Sequence, residues 1–263
     1  MKKVAIALLT IASVCPHVGA GASGVPNQPR TPVDDTAAAP DGGEGRAEES
    51  KSSGPAQISR LTDDDYVAVA SRLGVEVAAI KAVVEIEAGV SHKGFSAPGL
   101  PLINFDLSMF RRSARRKGIN LSKYQKTHAV VFSRPNARAY GSQQAGQHAR
   151  LKAARTIDNV AAIEGTFWGM FQIGGFNWEK CGAKDIDEFV ELMSRSERDQ
   201  LELFAAFLIS TGLDRHLKNK NWAAFARGYN GPSYASRGYH TRMASAYAKY
   251  MSRGERQNDR MIE

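Results

Sequence analysis

Val75-Glu-Val-Ala-Ala-Ile-Lys-Ala-Val-Val-Glu-Ile-Glu-Ala-Gly89 is the stretch on which the fold turns. Val77, Ile80, Val83 and Val84 recur at helical spacing, which predicts a buried helix. Continued by one more turn, the same stripe reaches Glu87, where an aliphatic residue would be expected. Glu85 lies four residues after Lys81, so those two are expected to pair on the wet face. Residues two apart are separated by roughly 200° around the axis, so Glu85 and Glu87 face different surroundings. A carboxyl set into an apolar stripe loses hydration, and its pKa rises. Gly89 reads as the helix stop, so Glu87 also lies near the negative end of the helix dipole, which acts in the same direction. A carboxylic acid held protonated near neutral pH suits general-acid work at a glycosidic bond. A glutamate that snorkels outward or pairs with an arginine is the ordinary alternative.

The ends of the chain limit how much of it folds. Lys2 and Lys3 precede an apolar run from Val4 to Val14, and small residues lead to Val18-Gly19-Ala20. This pattern predicts an export signal over residues 1–20, cleaved after Ala20. The run is too short for a membrane anchor. Cys15 raises a lipoprotein alternative, to which Val14 is a poor fit. Once the signal is removed Cys181 stands alone, so no disulfide framework is expected within one chain. Residues 21–58 are rich in Gly, Ala, Pro, Ser and acids, with few large apolar side chains, and read as a disordered linker. After Ile58 the chain carries 30 basic and 21 acidic residues, a charge of about +9. A basic exported domain suits an acidic polymer, whether a carboxylate-rich wall, an anionic membrane surface or nucleic acid; simple solubility is the plain alternative.

Residues 59–263 read as one mainly helical α+β domain with a small strand or hairpin region. Thr62 with Asp63, Asp64 and Asp65 starts a helix that Gly74 ends. Phe95 to Phe105 reads as a turn and a short strand. Asp106 opens a basic helix through Arg111, Arg112, Arg115 and Arg116, closed by Gly118. Tyr124 to Tyr140 is irregular around Pro135. Gln143 to Ile157 is expected to be helical, with Leu151 and Ala154 inward and Arg150 and Lys152 outward. Further helices are expected from Asp187 to Met193, from Ser196 to Gly212, from Asn221, and from about Arg237 to Met251.

Two later clusters are rich in aromatics and glycine. Glu164-Gly-Thr-Phe-Trp-Gly-Met-Phe-Gln-Ile-Gly-Gly175 can turn tightly, with Trp168 and Phe171 as flat faces for sugar rings and Gln172 as donor and acceptor. Phe225-Ala-Arg-Gly-Tyr-Asn-Gly-Pro-Ser-Tyr234 holds a turn at Asn230-Gly231-Pro232 that would project Tyr229 from a helix end. Taken singly, each is more often core or loop than site. The histidines are scattered without metal-ligand spacing, and neither a phosphate-binding loop nor a nucleophile elbow occurs, so no metal or cofactor is expected. The Arg111 to Lys117 run reads as a solvated or wall-binding face.

In order, Glu-Ala-Gly after a helix, Gly-Met-Phe-Gln-Ile and Gly-Tyr-Asn-Gly-Pro resemble the lysozyme superfamily, particularly goose-type lysozymes and soluble lytic transglycosylases. The closer resemblance is to the N-acetylmuramidase family of phage endolysins and bacterial effectors. It is carried by Leu102-Ile-Asn-Phe-Asp-Leu-Ser-Met-Phe110, Arg150-Leu-Lys-Ala153 and Phe167-Trp-Gly169, and spans roughly Leu61 to Tyr250. The resemblance implies a lysozyme-like fold with Glu87 as general acid at the bond between N-acetylmuramic acid and N-acetylglucosamine. It places Gln172 and the Met170 and Phe171 backbone along the cleft, beside Trp168. Tyr229 and Asn230 would position the N-acetyl group or the oxocarbenium-like sugar. The family usually has Glu where this chain has Asp106, so Asp106 is expected as base or electrostatic stabiliser or, on local grounds, as a helix cap; Glu164 is the reserve second carboxylate. Ala88 stands where the family often has Ser. Hydrolysis is the favoured outcome, with lytic transglycosylation, a catalytically inactive wall-binding scaffold and a basic nucleic-acid binder as rivals. The expected setting is periplasmic or secreted, acting as a monomer on the glycan strands of peptidoglycan. No nucleic acid and no membrane anchor are expected; a proteinaceous inhibitor or immunity protein is left open as a partner.

Overall fold

The computed structural model describes residues 60–88, 93–133 and 144–262. The expected signal, the linker, Gly89 and the stretch around Pro135 lie outside the described residues. Helix α1 (Asp63–Leu73) begins at a capping box in which Thr62 and Asp65 bond each other's backbone N–H, and ends on Gly74 at φ 63°. Helix α2 (Val77–Glu87) follows at once and buries Ile80, Val83, Val84 and Glu87 on one stripe. Lys81 reaches Asp63 of α1 instead of Glu85, and Glu85 takes Lys249 and the Tyr250 hydroxyl. The local pairing rule gives way because neighbouring helices offer nearer partners.

Strands β1 (Phe95–Ala97) and β2 (Leu100–Pro101) form a small hairpin. Strands β3 (Ile103–Phe105), β4 (Thr166–Trp168) and β5 (Ile173–Gly174) make an antiparallel sheet with Ile103 opposite Trp168 and Phe105 opposite Thr166. Between β3 and β4 come α3 (Leu107–Arg116), α4 (Ala129–Phe132), α5 (Gln144–Arg155) and α6 (Asn159–Glu164). Strand β3 is an edge whose outward N–H groups need partners. Gln144 and Gln147 of α5 supply them, accepting the Ile103 and Phe105 N–H at 2.9 and 3.0 Å.

Arg150, expected outward, is buried. Its guanidinium donates to the Val131 and Ser133 carbonyls and lies 5.1 Å from the centre of the Phe105 ring, so it ties α4 to β3 through the core. A long side chain can bury its stem and still satisfy its head on free carbonyls at a helix end.

The second half is helical: α7 (Ile186–Arg195), α8 (Glu197–Thr211), α9 (Asp214–Lys218), α10 (Trp222–Asn230) and α11 (Tyr239–Ile262). Helix α7 starts one residue ahead of Asp187 because Asp185 caps it through the Glu188 N–H, and α11 runs beyond Met251. Helix α8 crosses the middle of the core, with Leu201, Phe204, Ala205 and Leu208 all fully buried. It is set by Ser196 at its start and Gly212, at φ 69°, at its end. The expected mainly helical α+β arrangement is therefore present, and α2, α8, α10 and the β4–β5 turn converge on one place.

Candidate active site

Glu87 is the last residue of α2 and is 6% exposed. Its Oε1 accepts a 2.9 Å hydrogen bond from Asn230 Nδ2 on the last turn of α10. Burial pushes the carboxyl up to about 7, while the Asn230 bond and the nearby Arg242 guanidinium act the other way. Among the described residues neither Glu87 Oε2 nor Asn230 Oδ1 has a hydrogen-bond partner. Both atoms are buried, and a protonated carboxyl with one oxygen fixed keeps the other as a donor.

Tyr229 precedes Asn230 and points inward. Its hydroxyl donates to the Phe171 carbonyl at 2.8 Å, and its ring packs edge-on to Phe204. Burial, reinforced by the charge on Glu87, holds that hydroxyl well above its ordinary range, so it remains a proton donor. Tyr229 is thus not projected from the helix end but locked between α8 and the β4–β5 turn.

That turn runs from Trp168 to Ile173. Gly169 sits at φ 69°, where a side chain is strained, and its carbonyl receives the Gln172 N–H at 3.2 Å. Gln172 itself stands at φ 48°, an uncommon conformation for a residue with a side chain, and folds its Nε2 back onto the Gly169 carbonyl at 2.8 Å. The expected sugar platforms are not there. The Trp168 ring is 2% exposed and donates to the Ile163 carbonyl, and the Phe171 ring is 1% exposed and stacked on Phe204 at 4.2 Å. The Met170 side chain is buried as well. Sequence spacing cannot separate an aromatic that lines a cleft from one that fills the core behind it. The turn therefore offers its backbone and Gln172, which is half-buried.

Neither candidate second carboxylate joins the cluster through a contact. Asp106 Oδ1 accepts the Ser108 and Met109 N–H at 2.7 and 2.9 Å, capping α3. Glu164 receives Arg116 at 2.7 Å and also the Ser113 hydroxyl. The Asp106 N–H bonds the Gly165 carbonyl at one end of the β3–β4 pair, while the Gly169 N–H bonds the Leu102 carbonyl at the other. The three residues of β3, four steps along the chain, separate these ends, about 13 Å at ~3.3 Å per step.

Two buried polar residues lie outside the motifs read from the sequence. Glu197 and Gln200 on α8 are 2% and 0% exposed, and both bond backbone on the strand side of the core. They lie on the same stripe as Leu201, Phe204 and Leu208, so the polar interruption that singled out Glu87 occurs again there.

Residues 76–251 match the family described as Muramidase, N-acetylmuramidase, a span that contains α2, both sheets and the Asn230 turn. Among solved structures, the Burkholderia AP3 phage endolysin is similar, with 32% identity and a TM-score of 0.64 over 76% of this chain and 75% of that one. No curated protein matches. The matched span covers well over half the chain and holds Glu87 with every residue bonded to it here, so this chain belongs to the N-acetylmuramidase family.

Proposed function

We propose that this chain is an exported peptidoglycan hydrolase that cleaves the β-1,4 bond between N-acetylmuramic acid and N-acetylglucosamine, with Glu87 as general acid. The observation that carries this reading is the buried Glu87 carboxyl, held at one oxygen by Asn230 and raised to about 7. The Glu87 Oε2 proton passes to the glycosidic oxygen, the C1–O bond breaks, and the leaving sugar departs as an alcohol. The sugar left behind carries oxocarbenium character; water attacks C1 and loses a proton to solvent, and the Glu87 carboxylate is reprotonated for the next turnover. Asn230 Oδ1, buried and unpaired, would accept from a substrate N–H or hydroxyl, with Gln172 lining the cleft. Tyr229 serves through the Phe171 backbone, since its hydroxyl is already committed there. Family membership and the endolysin neighbour support the peptidoglycan substrate, and the basic charge after Ile58 suits an acidic wall. Export rests on the pattern of residues 1–20.

A second reading has its own support. Asp106 and Glu164 are both engaged away from Glu87, so neither of these two carboxyls is placed by its contacts to hold a water beside it. With one acid, attack by the sugar's own 6-hydroxyl would give a 1,6-anhydro product. Digestion of purified sacculi followed by mass analysis of the products separates the two. New reducing N-acetylmuramic acid ends are the expected result. Anhydro ends would establish transglycosylation, and sacculi left intact across pH 4–8 would overturn both.

A further inference from the structure

Gln200 of α8 is fully buried, and none of its polar atoms is idle. Its Oε1 accepts the Met170 N–H at 2.8 Å, and its Nε2 donates to the Met193 carbonyl at 2.8 Å and the Gly94 carbonyl at 3.3 Å. One turn earlier, Glu197 Oε1 accepts the Gly94 N–H at 3.0 Å. The approach leaves no room for a Cβ unless the Gln200 carboxamide shifts. A Cβ on Gly94 would stand 2.4 Å from Gln200 Oε1, and one on Gly169 would stand 2.7 Å from it.

These bonds close into a ring. The Gly94 carbonyl also accepts the Leu102 N–H at 2.8 Å, and the Leu102 carbonyl accepts the Gly169 N–H at 2.8 Å. Met170 follows Gly169 and returns to Gln200. The ring is connected to Glu87 in one direction. Phe171 follows Met170 and takes the Tyr229 hydroxyl; Asn230 follows Tyr229 and holds Glu87. An apolar residue at 200 would continue the stripe of α8 without the cost of burying an amide, which only a full set of bonds offsets.

We propose that Gln200 is a positioning residue of the active site: its carboxamide sets the β4–β5 turn and, through Phe171 and Tyr229, places Asn230 against Glu87. The inference rests on the reading of Glu87 as general acid. In the full chain, Gln200→Leu removes the whole bond set, whereas Gln200→Glu keeps the acceptor for Met170. On soluble, uncrosslinked glycan strands Gln200→Leu should lower kcat by about 100-fold with KM within about threefold, and Gln200→Glu should lose no more than about 10-fold. The Met170 amide should exchange faster, and the Asn230 side-chain amide signal should shift, in Gln200→Leu. Those two spectroscopic readouts hold whether or not turnover occurs, so an inactive parent chain would count against the proposed reaction and leave this inference to be decided by them. Unchanged Met170 exchange and Asn230 signal in folded Gln200→Leu would overturn the inference. So would wild-type kcat, a change confined to KM, or failure of both variants to fold, which would make the carboxamide a requirement of the fold as a whole.

Discussion

The proposed chemistry depends on the protonation state of Glu87, and that state has consequences for both rate and stability. Activity should fall as pH rises through about 7, where the acid loses its proton. For stability the sign is fixed by the direction of the shift. Below about 4.5 the carboxyl is neutral folded and unfolded; between there and about 7 it ionises only when unfolded. The contribution of Glu87 to stability is therefore most favourable at low pH and declines through that window, by roughly 3 kcal/mol in total. Glu87→Gln keeps the shape and an acceptor for Asn230 but cannot ionise. It should abolish muropeptide release and, in melts at pH 8, exceed the parent by on the order of 5–10 °C, a gap that closes at pH 4. Asn230→Ala removes a bond that lowers the Glu87 pKa, so the alkaline limb of the rate profile should move to higher pH while kcat drops about 10-fold or more. A profile with an unmoved limb would sever Asn230 from the acid.

Among the elements, β3 and the cap of α3 decide the role of Asp106. Asparagine caps helices as well as aspartate does, yet carries no charge. Asp106→Asn should keep the melting temperature within about 2 °C and sacculus digestion within about threefold, because the observed bonds are those of a cap. A loss of activity at constant stability would make it the second carboxylate instead. The helices were largely legible because their caps and stops are local: Thr62, Asp106, Ser196, Gly212 and Asn221 all lie where the chain places them. Glu87 was legible as a break in an apolar stripe. The directions of Trp168, Phe171 and Arg150 were not, since each is settled by what packs against it: Ile163 and Phe189, Phe204, and the end of α4. Glu197 and Gln200 carried the same signal as Glu87, but their backbone partners Gly94 and Met170 are remote in sequence.

For the molecule as a whole, the charge and the site point to the same substrate. An excess of basic residues after Ile58, including the exposed Arg111, Arg115 and Arg116 of α3, should draw the chain to an anionic wall. Sacculus binding by Glu87→Gln, which cannot digest its target, should weaken several-fold between about 0.05 and 0.5 M salt as screening shortens the reach of these charges. Salt-independent binding would assign recognition to the cleft alone. The proposed reaction nevertheless turns on one side chain, and the most direct measurement is the ¹³C titration of the Glu87 carboxyl in the folded chain, assigned against Glu87→Gln. The account predicts a midpoint near 7, set by burial at the end of α2. A midpoint near the ordinary 4.5 would mean a carboxylate already ionised at neutral pH, with no proton to give.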